Sequence, residues 1–150
     1  MYRFRQGKDM RHLALDVGDE RIGVAISDAD GLLARPLEVI ARRPGPSSFL
    51  RIAEIVAKER VQVIVVGLPL LPDGTEGKQV ESTRAYVRGL VQYVDVPIVY
   101  WDERYSTDRA MQIMIQNRSK RRRRQQMADA VAAAVILQEY LDNRAGGPRL

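Results

Sequence analysis

Three places in this 150-residue chain carry a carboxylate where the local pattern favours an apolar residue or where an α/β sheet presents its ligands. Asp16 interrupts His12-Leu13-Ala14-Leu15-Asp16-Val17, a run otherwise suited to a buried strand. A carboxylate there is costly unless something compensates it. Asp102-Glu103-Arg104 follows an apolar run at the carboxyl end of an expected parallel strand, where open sheets bind ligands. Asp129 lies near the start of a helical stretch containing Ala128, Ala130, Val131, Ala132, Ala133 and Ala134. Each has an ordinary explanation. Asp16 can close a hairpin by accepting from the amides of Gly18 or Asp19. Glu103 can pair with Arg104 or Arg109 at the surface, and Asp129 can complement a helix dipole. Brought together at one sheet edge, however, such carboxylates can hold hard divalent cations through oxygen. Two cations so held activate a water and stabilise both oxygens of an in-line phosphoryl displacement. They also relieve the repulsion of clustered carboxylates for one another and for a phosphodiester.

Composition removes the competing chemistries. The chain has no cysteine, which excludes disulfides, thiolate catalysis and cysteine-bound zinc. His12 is its one histidine, so a histidine-rich metal site or a histidine-based triad needs residues from a second chain. Ser106 and Thr107 suit helix caps better than nucleophiles, with no activating base near them in sequence. The 24 basic against 19 acidic side chains, a formal charge of +5, favour a polyanionic partner. The first eight residues are charged but precede no long apolar run, so neither a secretory signal nor a membrane span is expected. The expectation is a cytoplasmic protein with no membrane partner.

The carboxylates must be positioned by a sheet. Residues 12–17 and 21–27 read as two strands of a hairpin around Gly18-Asp19-Glu20, and residues 34–41 as a third strand. Pro44-Gly45-Pro46 breaks the chain, after which Ser47 or Ser48 can cap a helix carrying Phe49, Ile52, Ile55 and Val56 at helical spacing. Residues 61–67 are almost continuously apolar and β-branched, as in a central parallel strand covered on both faces. A second helix is expected from near Thr75, ended by Asp95 and Pro97. It is followed by a strand over 96–101, a helix from Ser106 or Thr107 to about Asn117, and an apolar helix over 127–141. The order β-β-β-α-β-α-β-α-α describes an antiparallel meander continued by right-handed crossovers into a mixed α/β sheet. Residues 1–150 are read as a single domain with its core at about 12–142.

Four blocks then point to a family. Leu15-Asp16-Val17-Gly18 with Arg21-Ile22-Gly23-Val24-Ala25-Ile26-Ser27-Asp28, Val65-Val66-Gly67-Leu68-Pro69 with Asp73-Gly74-Thr75-Glu76, Asp102-Glu103-Arg104-Tyr105-Ser106-Thr107, and Asp129-Ala130-Val131-Ala132-Ala133 resemble the YqgF (RuvX) family in order and spacing. The resemblance implies an RNase H-like fold with a five-stranded mixed sheet and helices on both faces. It implies a nuclease related to Holliday-junction resolvases that matures the 5′ end of pre-16S ribosomal RNA. Asp16, Glu103 and Asp129 would then be the catalytic, metal-binding carboxylates, with Asp102 a reserve ligand, and Mg²⁺ or Mn²⁺ would occupy a two-metal site. The partner would be RNA, branched DNA or both, and the protein a monomer or a homodimer.

Between the last two blocks runs Arg118-Ser119-Lys120-Arg121-Arg122-Arg123-Arg124-Gln125-Gln126, richer in arginine than the family pattern. Beside a metal site, Lys120, Arg121, Arg122, Arg123 and Arg124 could track a phosphate backbone, or form a solvated loop. Arg21, Arg84 and Arg104 are further phosphate candidates that could instead form ion pairs. Two other functions compete: a non-catalytic nucleic-acid-binding ribosome-assembly factor, and an actin-like ATPase whose phosphate loop is Asp16-Val17-Gly18. The ATPase reading needs a second lobe that this length does not supply.

Overall fold

The computed structural model describes residues 10–103 and 121–146, except for the side chains of residues 121–126, 145 and 146. Strands β1 (His12–Val17), β2 (Arg21–Ser27) and β3 (Ala34–Ala41) form the antiparallel meander. Helix α1 (Ser47–Glu59) leads to β4 (Val63–Leu68), α2 (Lys78–Leu90) to β5 (Ile98–Asp102), and α3 spans Arg121–Gly146. The sheet order is β3-β2-β1-β4-β5, with β1 parallel to β4 and β4 parallel to β5. This is the five-stranded mixed sheet expected from the sequence. The helix expected between Ser106 and Asn117 lies outside the described residues.

Strand alternation gives the two faces different characters. One is bulky: Leu13, Leu15, Val17, Ile22, Val24, Ile26, Ile64 and Val66 pack with Ile52 and Ile55 of α1 and with Tyr86, Val87 and Leu90 of α2. The other face is built small. Ala14, Ala25 and Val65 lie there against Ala133, Ala134, Ile136, Leu137 and Leu141 of α3. Small residues on both surfaces let α3 approach the sheet closely, and Gly23 marks the tightest contact. A Cβ on Gly23 would stand 1.9 Å from the backbone oxygen of Asp129 and 2.9 Å from the amide nitrogen of Ala130.

Several local expectations are corrected. Neither Ser47 nor Ser48 caps α1: the N-cap is Pro46, with no side-chain cap bond. Ser48 is instead buried, and its Oγ accepts a 2.7 Å hydrogen bond from the Tyr86 hydroxyl. Thr75 does not start α2, which begins three residues later behind Gly77. Thr75 is held in the preceding turn, where Asp73 Oδ1 accepts from its amide at 2.9 Å and its hydroxyl at 2.6 Å. The backbone from Arg121 onward is helical, so the arginine run from 121 to 124 belongs to α3 and forms no loop there.

Because backbone atoms oppose Gly23, no rotamer change can accommodate a side chain at that position. Gly23→Ala should cost about 1–3 kcal/mol, a typical penalty for overpacking, measured by urea denaturation. A substitution at Gly45, where nothing lies within 4 Å of an added Cβ, provides a control for steric crowding, although its φ of 92° adds backbone strain of its own.

Candidate active site

Asp16 shares its strand face with His12 and Ala14 and is flanked on each neighbouring strand by a glycine. On one side its antiparallel register partner is Gly23, the residue over which the Asp129 backbone sits. On the other is Gly67, one residue beyond Val66, the parallel partner of Leu15. Gly67 admits a second acidic residue. A Cβ there would come within 2.8 Å of Glu103 Oε2 and 2.6 Å of Ile136 Cδ1. Asp16 thus occupies the middle strand, with Asp129 delivered over one neighbouring strand by α3 and Glu103 over the other from the end of β5.

The electrostatics couple Asp16 to Asp129 and Glu103 to Asp16. Burial pushes the Asp16 carboxyl up to about 6, and the charge of Asp129 adds to the rise. Glu103 is pushed up to about 7, by burial first and then by the charges of Asp16 and Asp102. Arg21 is the cation that answers this charge: its Nε donates to Asp129 Oδ2 at 2.7 Å. It stands at the first position of β2, two residues before Gly23 and on the same face.

The remaining sequence candidates divide. Asp102 belongs by alternation with Ile98 and Tyr100, whose face packs on the α1 and α2 side of the sheet, opposite Asp16. Its charge nevertheless reaches Glu103. Arg84 is paired with Glu76 at 2.8 Å, and its guanidinium carbon lies 5.0 Å from the Tyr100 ring centroid. Arg104 and Lys120, and the side chains of Arg121, Arg122, Arg123 and Arg124, lie outside the described residues. His12 is fully buried at the opposite end of β1, hydrogen-bonded through Nδ1 to the Met10 carbonyl, with burial lowering its pKa. Gly23 and Gly67 are the site residues that sequence reasoning missed. An isolated glycine inside a strand, a recognised mark of close approach, was the available signal.

Among the described residues, no three His, Cys, Asp or Glu side chains stand together as a ready-made metal cluster. The chemistry of the donors still fits a hard divalent cation. They are oxygen donors, and two have ionised forms disfavoured by burial and by neighbouring carboxylates, an imbalance that a cation would correct.

The fold is a five-stranded mixed α/β sheet packed by helices, and comparison with known proteins identifies its family. The Thermus thermophilus RuvC structure superposes with a TM-score of 0.57 at 20% identity, covering 91% of this chain and 97% of that one. A Fowlpox virus resolvase in complex with Holliday junction DNA gives 0.55 at 12% identity, covering 90% and 99%. The family RuvX, described as Holliday junction resolvase, matches residues 10–143, and this chain belongs to it. Curated relatives agree. Proteins named "Putative pre-16S rRNA nuclease" from Desulforamulus reducens and Symbiobacterium thermophilum are 44% and 45% identical, over 91% and 93% of this chain and 99% and 96% of their own lengths.

Raised carboxyl values make a definite prediction for stability. The unfolded chain releases these protons near 3.8 and 4.5, whereas the folded chain holds them to about 6 and about 7. The contribution of Asp16 and Glu103 to folding stability therefore falls as pH rises through that window and levels off above it. Without divalent ions, Asp16→Asn should be more stable than wild type at pH 8 by on the order of 1–2 kcal/mol, a gap that closes below pH 4. Calorimetry across pH checks this. A variant less stable than wild type at pH 8 contradicts it.

Proposed function

We propose that this chain is a metal-dependent nuclease that matures the 5′ end of pre-16S ribosomal RNA, with Asp16, Glu103 and Asp129 as its catalytic and metal-binding carboxylates. The observation that supports the reading is the glycine-flanked, buried Asp16, with Glu103 over Gly67 and the Asp129 backbone over Gly23. Membership of the RuvX family makes the enzyme a hydrolase of phosphodiester bonds and its partner nucleic acid. The RNA substrate rests on the names of its relatives. The family description supports a second reading, cleavage of branched DNA. We read the whole chain as one domain with its core near 12–142, acting in the cytoplasm as a monomer or homodimer. Among the described residues no helix is long and apolar enough to cross a membrane.

The chain's own groups divide the work. Asp16, fixed on the middle strand, is the shared carboxylate. Glu103 lies over Gly67, and Asp129 is delivered by the first described side-chain turns of α3 and held at Oδ2 by Arg21. Burial of Asp16 and Glu103 limits screening of their charges by water, which strengthens their attraction for a cation. Bound Mg²⁺ or Mn²⁺, in a two-metal arrangement, supplies Lewis acidity and an activated water at neutral pH. Asp102 is assigned no ligand role; its charge acts on Glu103 from the opposite face.

The test is a cleavage panel of ribosomal RNA precursor, single strands and four-way junction DNA with Mg²⁺ or Mn²⁺. Wild type should cut at least one of these. Asp16→Asn and Glu103→Gln should each lower the rate by roughly a thousandfold or more while keeping nucleic-acid affinity. Undiminished cleavage by either folded variant overturns the carboxylate assignment.

A further inference from the structure

Two of the arginines that the sequence marks for phosphate, Arg21 and Arg84, are committed to Asp129 and Glu76. Other cations are exposed and have no ion pair among the described residues: Lys78 and Arg88 on α2, and Arg43 in the loop after β3. They border two open hollows that adjoin at Ser82 and Ala85, which line both, and these together make a groove. The first runs along α2 past Lys78, Glu81, Arg84 and Arg88. The second is bounded by Asp19, Arg42 and Arg43, with Phe49 and Tyr86 beside them.

The floor of that hollow is fixed. Arg42 Nη1 donates to the Gly18 carbonyl at 3.0 Å and to Ser82 Oγ at 2.9 Å, while Nη2 donates to the Ser82 carbonyl at 3.2 Å. Its guanidinium carbon lies 5.0 Å from the Tyr86 ring centroid. Ser82 Oγ donates in turn to Asp19 Oδ1 at 3.1 Å, which ties up one of the two acidic groups on the walls. Gln79 reaches the Val17 carbonyl at 3.3 Å. The groove therefore ends on the turn that follows Asp16-Val17, around the same end of the sheet as the carboxylates.

We propose that this groove docks the sugar-phosphate backbone of a nucleic-acid strand, with Lys78, Arg88 and Arg43 as its phosphate contacts. The proposal rests on the nuclease reading and names a second binding surface for the same substrate class. Charge complementarity selects the occupant: five of the charged side chains on the walls are cationic, and of the two acidic ones only Glu81 has no partner among the described residues. An open, positively charged wall suits a repeating phosphate chain and gives little sequence preference.

The experiment measures binding of labelled single-stranded and double-stranded RNA and DNA by fluorescence anisotropy in EDTA, so that no cleavage occurs, across a salt series. Lys78→Gln/Arg88→Gln/Arg43→Gln should bind at least roughly tenfold more weakly, with a salt slope shallower by about 0.7–0.9 for each cation removed. Glu81→Lys should bind more tightly with a steeper slope, a gain that a misfolded protein cannot produce. If the triple variant keeps wild-type affinity and slope, or if wild type binds none of the probes, the groove assignment is overturned. Cleavage by wild type in a separate assay with divalent ions keeps the two readings apart. A groove that binds without turnover contradicts the nuclease reading alone, and turnover with an unchanged triple variant contradicts the groove alone.

Discussion

The architecture turns on how closely α3 can approach the sheet. At Gly23 the backbone of Asp129 occupies the space of a side chain, and this contact places the start of the described α3 side chains directly over the register partner of Asp16. The small face of the sheet and the alanines of α3 follow from the same constraint, because leucines at Ala14, Ala25 or Ala133 would hold the helix away. Gly67 repeats the solution on the other side of Asp16 for Glu103. The larger of the two buried clusters lies on the bulky face under α1 and α2. The small face trades some burial for proximity.

That division bears on the chemistry. Asp16 and Glu103 are held in surroundings that oppose their ionisation, whereas Asp129 is paired with Arg21. Burial and neighbouring charge thus oppose ionisation at both positions, a cost that the proposed divalent cation would offset. The opposite layer contributes differently. Arg42 braces the β1–β2 turn against α2, and the cations left unpaired beside it face solvent, where a polyanion can reach them.

Much of this was legible in the sequence. The bounds 12–17, 21–27 and 34–41 match the strands because alternation and turn residues act locally. The carboxylates stood out because each broke a local pattern. The misreadings were tertiary in origin. Ser48 looked like a cap, but Tyr86 reaches it from α2 and takes it into the core. Thr75 looked like a helix start, but Asp73 binds it in a turn. Arg21 and Arg84, read as phosphate candidates that could instead form ion pairs, pair with carboxylates 108 and 8 residues away. Gly23 and Gly67 read only as strand glycines until the helix and Glu103 were seen against them. Alternation alone could have separated Asp102 from Glu103, since neighbours in a strand point to opposite faces.

The central claim, that Asp16 is the shared ligand of a divalent-cation site assembled over two glycines, is tested most directly by anomalous diffraction from crystals soaked in Mn²⁺. The account predicts a manganese peak bonded to an Asp16 carboxylate oxygen, with Glu103 or Asp129 in the same coordination shell. Manganese bound only elsewhere, with Asp16 left uncoordinated at saturating ion, would contradict it.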